Sequence, residues 1–224
     1  MPRVEMALGV TGLVLATTAP AFAADEDTNI WLAQSANIDL GGDMALGLEA
    51  QERFTNDASR LSQIIFRPSL SYKLDQSTSI SLGYAYVHND PQTGASTNEH
   101  RAHQQISFRV AGDGKGVTIT GRTRFEQRFL EEIDGTAFRI RQQFRLTAPL
   151  SGKVRAVAWT EALVGLNRTG FQRVGLGLWR NYAGVSVPVS KFLSLEPGYL
   201  NQYVVRNGTD RIDHVANLTL SAAF

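Results

Sequence analysis

In the segment "RTRFEQRF", Arg122, Arg124, Glu126 and Arg128 recur at every second position, and Thr123, Phe125, Gln127 and Phe129 fill the gaps. The same spacing returns in "NEHRAHQQISFRV", with Glu99, Arg101 and Arg109, and in "FRIRQQFRL", with Arg139, Arg141 and Arg145. Guanidinium groups bind carboxylates and other oxyanions through paired, charge-assisted hydrogen bonds. Carboxylates set among more numerous arginines therefore form an ion-paired network that anions or ordered water must complete.

Other residues offer weaker chemistry. His100 and His103 suggest a metal site, but residues three apart on a strand face opposite ways and cannot chelate together without a bulge. Ser107 shares a face with His103, as a hydrolase would require. Two strand steps separate them, however, and nothing marks an oxyanion hole. "GDGKG" lacks the Lys-Ser/Thr ending of a phosphate loop and precedes no helix, so it reads as a turn. The Asn-x-Thr triplets at Asn167, Asn207 and Asn217 carry no mechanism. The chain has no cysteine, hence no disulfide framework or thiolate zinc site, and its net charge of +1 gives no footprint for nucleic acid. No catalytic residue, cofactor or metal is expected.

Alternation at period two belongs to a strand with two unlike faces. It runs through nearly the whole chain. "ALGLEAQERF" sets Leu46, Leu48, Ala50 and Phe54 against Gly47, Glu49, Gln51 and Arg53. "FRPSLSYKL" sets Phe66, Leu70 and Tyr72 against Arg67, Ser69 and Lys73. "SISLGYAYV", "FLSLEPGYLNQY" and "HVANLTLSAAF" continue the pattern. Ahead of these lies "ALGVTGLVLAT", Ala7 to Thr17, followed by Pro20 and the small-x-small triplet Ala21-Phe22-Ala23. That is the form of a cleavable signal peptide. The expected organisation is a signal peptide over 1–24 and one all-β domain over 25–224, an antiparallel barrel of about 10–12 strands.

Alternation does not say which face is inside. Four features favour a transmembrane barrel with its polar face inward. Among 22 basic residues 18 are arginine, suited to packed, poorly hydrated sites. The four lysines, Lys73, Lys115, Lys153 and Lys191, fall at or beside short turns. Those turns interleave with longer segments near 55–61, 88–98, 130–137, 165–175 and 206–212. The chain closes on Phe224, with Ala222, Leu220 and Leu218 at steps of two before it. That ending resembles the signal read by the outer-membrane barrel assembly machinery.

The segments "FRPSLSYKL", "NEHRAHQQ", "RTRFEQRF", "FRIRQQFRL", "EPGYLNQY" and "LSAAF" together resemble a group of Gram-negative proteins catalogued as domain of unknown function 2490. The resemblance covers nearly all of the chain after residue 24. It implies an outer-membrane β-barrel in contact with lipid and lipopolysaccharide, and it carries no activity.

Pairing across the turns then predicts neighbours. The turn at Gly112–Lys115 sets Glu126 opposite Arg101 and Glu99 opposite Arg128, and the 130–137 loop sets Glu126 opposite Arg141. A slip of two residues is the alternative register. Glu161 directed inward carries Trp159 inward too, stacked on an arginine, unless a bulge resets the phase of that strand. About eleven strands are found, whereas bacterial single-chain barrels have even numbers. Either "IWLAQSANI" lies outside the wall, leaving ten, or a twelfth strand escapes notice. The expected function is an envelope protein or narrow pore with an Arg-rich, Glu-paired lumen. The rival is an integral outer-membrane enzyme acting on lipid or lipopolysaccharide.

Overall fold

The structure is a computed structural model that describes residues 24–224. The segment expected to be a signal peptide lies, apart from Ala24, outside the described residues. The rest is a single closed sheet. Its strands are β1 (Asp25–Gly41), β2 (Met44–Thr55), β3 (Arg60–Lys73), β4 (Thr78–Asn89), β5 (Thr97–Ala111), β6 (Thr118–Leu130), β7 (Ala137–Ser151), β8 (Val154–Gly165), β9 (Gly175–Pro188), β10 (Leu193–Val204) and β11 (Arg211–Ala223). Each pairs antiparallel with its neighbours in sequence, and β1 closes on β11.

That closure settles the strand count at eleven among the described residues, neither ten nor twelve. "IWLAQSANI" is part of the wall, inside β1. An odd count forces the first and last strands to run the same way, and β1 and β11 pair parallel from Asp25↔Arg211 to Asn37↔Ala223. Parallel pairing hydrogen-bonds the backbone as fully as antiparallel pairing, with slanted bonds. Phe224 extends the seam: its N–H donates to Asn37 O at 2.9 Å and its carbonyl accepts from Asp39 N–H at 2.9 Å. Its ring stacks on Phe192, centroids 5.8 Å apart.

Two unlike rims result. One carries the start of β1 and the loops 56–59, 90–96, 131–136, 166–174 and 205–210. The other carries the turns 42–43, 74–77, 112–117, 152–153 and 189–192, the chain's last residue and all four lysines. The contrast in length is looser than expected. The 56–59 connection is a tight turn, with Asn56, Asp57 and Ala58 at φ 57°, 53° and 57°. The 112–117 turn is longer and is braced by Asp113, whose Oδ1 accepts from Gly116 and Lys115 N–H at 3.0 and 2.9 Å. Those bonds hold the exposed Asp113 carboxyl below its ordinary value, Gly116 contributing most.

The polarity of the wall is the reverse of a soluble protein. Large apolar side chains stand on the outer surface, Leu82 64% and Phe66 48% exposed, while Glu161 and Glu126 inside are 1% and 2% exposed. The lumen also has apolar packing. Trp31, Val157, Tyr182, Leu200 and Val215 form one cluster, and Ile65, Ala85 and Val87 another. Tyr182 crosses so close to Gly184 and Gly198 that a Cβ on either would lie 2.3 Å from its hydroxyl oxygen, so only glycine fits there.

The parallel seam predicts a cross-link. Ala33 and Thr219 are register partners across β1 and β11 and both face inward, and the chain has no cysteine of its own. Oxidation of an Ala33→Cys, Thr219→Cys double variant should join the strands and shift its gel mobility. A wall closed between β2 and β11 would leave both thiols reduced.

Candidate functional site

All ten arginines and glutamates expected to form the network lie on inward-facing strand positions, and most of them meet. Glu126 on β6 is the first junction. Its Oε2 accepts from Arg139 Nε at 2.8 Å and from Arg139 Nη2, and its Oε1 accepts from Arg141 Nη1 at 3.1 Å. Arg124 Nη1 stands 3.9 Å away and finds no hydrogen-bond partner among the described residues, although Arg124 also donates twice to Gln105 Oε1.

Glu161 on β8 is the second and larger junction. Arg141 donates to it from Nε at 3.1 Å and from Nη2 at 2.8 Å to each oxygen. Arg122 Nη2 donates at 2.7 Å and Arg180 Nη1 at 3.4 Å. Arg180 continues through its Nε to Gln202, which donates to Asp213 at 2.6 Å, so the polar chain crosses from β6 to β11. A third junction, Glu99, takes paired bonds from Arg101 at 2.8 Å and from Arg128 at 2.6 and 3.1 Å.

The pairing differs from expectation by two residues on both sides of β6. Glu126 lies opposite His103 and Arg139, and Arg101 lies opposite Arg128. The β5–β6 ladder steps out of register between Arg109 and Ala111, and turn length and bulge together fix the offset. The inward face survives because a slip of two preserves parity. Long guanidinium arms also reach diagonally, so Glu99–Arg128 and Glu126–Arg141 still meet. Arg101, expected opposite Glu126, is spent on Glu99.

Two expected members stand apart. Arg109, at the short-turn rim, is exposed and donates to Gln76 O at 3.1 Å. Arg145 pairs with Glu196, away from Glu126. Trp159 points inward without a bulge beside Glu161, but it stacks on Tyr182, centroids 5.2 Å apart, rather than on an arginine. The stacked tryptophan is Trp31, with Arg53 at 3.8 Å and Arg180 at 5.2 Å. His100 and His103 do face opposite ways. His103 lies buried against Gly83 in the lumen. His100 is on the outer face with Tyr84, and its Nε2 is 3.0 Å from Glu131. Tyr199 and His214 repeat that outward Tyr–His pairing between β10 and β11. Hydrogen bonds from Asn98 and then His100 hold the Glu131 carboxyl below its ordinary value.

Sequence reading missed Arg53, Arg67 and Arg180 as site members, along with Glu49 and Glu196. Their period-two placement marks them as inward, but nothing local ties them to β6. Seven arginines, Arg53, Arg67, Arg101, Arg128, Arg139, Arg141 and Arg180, line a cavity of about 340 Å³ in which Glu99 is the lining carboxylate. Phe171 and Gln172, from the 166–174 loop, fold over it. Arg128 lies 5.4 Å from the Phe171 ring centroid and donates to Gln172 at 3.1 Å. The loop turns in so tightly that a Cβ on Gly165 would lie 2.1 Å from Arg173 O. On the short-turn side, a second cavity of about 350 Å³ shares Arg53, Arg67, Arg141 and Arg180 with the first. Those four arginines line both cavities. At the long-loop rim a vestibule of about 570 Å³ is lined by Asp25, Glu26, Asp27, Asp57 and Asp213 as well as Arg53, Arg206 and Arg211.

A family model described as "Protein of unknown function (DUF2490)" matches residues 28–213. An uncharacterized protein of Methylorubrum extorquens is 34% identical over 213 residues, which covers 92% of each chain.

Breaking a buried charge pair costs about 3–5 kcal/mol, less where water reaches the partners. Glu126→Gln should therefore destabilise the barrel by a few kcal/mol in urea unfolding. Adding Arg139→Gln should restore part of the loss, because contacting residues are energetically coupled. Strict additivity would refute the contact.

Proposed function

The chain belongs to the DUF2490 family of proteins of unknown function, and we propose that it is an integral β-barrel of a Gram-negative outer membrane whose arginine-rich lumen forms a narrow, anion-favouring path. The observation that carries the membrane placement is the inverted polarity of the wall, with Leu82 and Phe66 displayed outward and Glu126 and Glu161 sequestered within. In water that arrangement exposes apolar area and buries charge, and both are unfavourable. Against lipid the exposed face costs nothing and the charges keep a confined polar interior. Outward polar groups are paired with one another, which suits an apolar medium: Gln127 donates to Gln104 at 2.9 Å and Thr123 to Gln142 at 2.6 Å. The outward Tyr84–His100 and Tyr199–His214 pairs suit an interfacial belt facing lipid headgroups and lipopolysaccharide.

Orientation follows from the rims. Lysine-bearing short turns and Phe224 suit the periplasmic side, and the longer loops suit the outside. The ring of Phe224 and the apolar outer face of β11 suit recognition by the barrel assembly machinery. The expected signal peptide supplies the route of export. No catalytic step belongs to this reading.

The path itself rests on charge. Arg53, Arg67, Arg141 and Arg180 line both inner cavities. A ring of fixed cations at a constriction selects for anions. The acidic residues of the outer vestibule oppose that selection from the long-loop side, so fixed charge is asymmetric along the axis and current through the barrel should rectify. In planar bilayers, the purified chain should show small, rectifying conductance with anions favoured over cations. A silent barrel, or cation preference, would overturn the pore.

Membrane placement has its own test. Phe125 stacks on Phe138 on the outer face, centroids 5.9 Å apart. Phe125→Arg should cost ~2–4 kcal/mol if it lies near the bilayer midplane. Thr120→Arg, on an inward position, should cost less. Unfolding in liposomes compares the two, with fractionation and heat-modifiable gel migration of the parent protein alongside. Recovery from the soluble periplasm, or the reverse order of costs, would refute the placement.

A further inference from the structure

The lumen has an uncompensated cation, Arg53, that lines both inner cavities and the vestibule. Among the described residues, Arg53 is the arginine of the cavity of about 340 Å³ that no carboxylate pairs. Its Nη1 and Nη2 donate at 2.8 Å to the neutral side chains of Gln63 and Gln51, its plane lies over Trp31, and its Nε is buried with no partner. Every other arginine of that cavity has a carboxylate partner: Glu49 for Arg67, Glu99 for Arg101 and Arg128, Glu126 for Arg139, and Glu161 for Arg180, with Arg141 bridging the last two. Seven guanidinium groups thus face four carboxylates. At least three positive charges remain in a space of about 340 Å³. Arg124, nine-tenths buried, has a second unpartnered group in its Nη1.

An apolar filling would leave these cations repelling one another, and lysine would have lacked the planar fork. Stacking on Trp31 and two neutral glutamines hold Arg53 rigid without cancelling its charge. A preset, unneutralised fork is the arrangement that binds a compact oxyanion through several N–H donors. We propose that the cavity beneath the 166–174 loop is a binding site for a small, multiply charged, soluble oxyanion of the phosphate or pyrophosphate type. Arg53 and Arg180 are its main ligands, and Glu99 limits its affinity. The site rests on the lumen being reachable by solutes, as the reading above has it. Entry is favoured from the lysine-bearing rim, since the opposite vestibule is acidic.

A ligand that binds only the folded barrel raises its unfolding midpoint with the logarithm of its concentration once that exceeds the dissociation constant. The full chain in detergent micelles is titrated with sodium phosphate and sodium pyrophosphate, against sodium chloride at matched ionic strength to remove screening effects. The midpoint should rise logarithmically with both oxyanions above a threshold concentration, more with pyrophosphate, and not with chloride. Arg53→Gln and Arg180→Gln should each raise the oxyanion concentration needed for a given shift by about tenfold, the scale of losing charge-assisted hydrogen bonds. Glu99→Gln should strengthen it, because Arg101 and Arg128 are then released. That opposite sign keeps the test decisive even if an arginine variant folds poorly, and Arg60→Gln at the rim serves as the neutral control. A response no greater than chloride's, or one unchanged in Arg53→Gln and Glu99→Gln, would overturn the site. Conductance separates this from the pore. A silent barrel that binds pyrophosphate keeps the site and loses the pore. A conducting barrel whose midpoint responds no more to either oxyanion than to chloride keeps the pore and loses the site.

Discussion

Glu161 receives three arginines, Arg141, Arg122 and Arg180, on one buried carboxylate, and the packing of the lumen depends on contacts of that kind. Positive charge in a confined interior is unfavourable unless it is paired with good geometry and its remaining donors are satisfied. Six buried arginines, Arg67, Arg101, Arg124, Arg139, Arg141 and Arg180, could not share this space without Glu49, Glu99, Glu126 and Glu161 between them. Arg141 links Glu126 to Glu161, and so ties β6, β7 and β8 together across the inside of the wall as well as along its backbone.

The wall imposes the complementary constraint. A closed sheet has no edges, so each strand must find partners on both sides. Eleven strands satisfy this only through the parallel β1·β11 seam, which the backbone bonds of Phe224 prolong by one residue. The two ends of the described chain consequently lie at opposite rims. The last strand is fixed both by its hairpin with β10 and by the first strand of the chain.

Inside, aromatic and charged packing divide the work. Tyr182, set flat against Gly184 and Gly198 and stacked on Trp159, fills the lumen on the side where charges are fewer. Trp31 stands between the two regimes, packed with Tyr182, Leu200 and Val215 while carrying Arg53 on its face. The inward-folded 166–174 loop narrows the mouth above, with Phe171 against Arg128.

The sequence by itself determined the faces. Period two is a local property of an extended chain, so Phe125 and Phe129 outward, and Arg122, Arg124, Glu126 and Arg128 inward, were legible in one strand read alone. The lysines were likewise legible as turn residues and fall on one rim. Tertiary structure decided the partners. Register depends on turn length and on irregularities such as the shift between Arg109 and Ala111, so Glu126 faces Arg139 and His103 rather than Arg141 and Arg101. Parity of the wall is a property of closure, which no single strand encodes. The isolation of Arg53 was legible nowhere in "QERF", because it arises only when β1, β2 and β3 bring Trp31, Gln51 and Gln63 around it and no carboxylate with them.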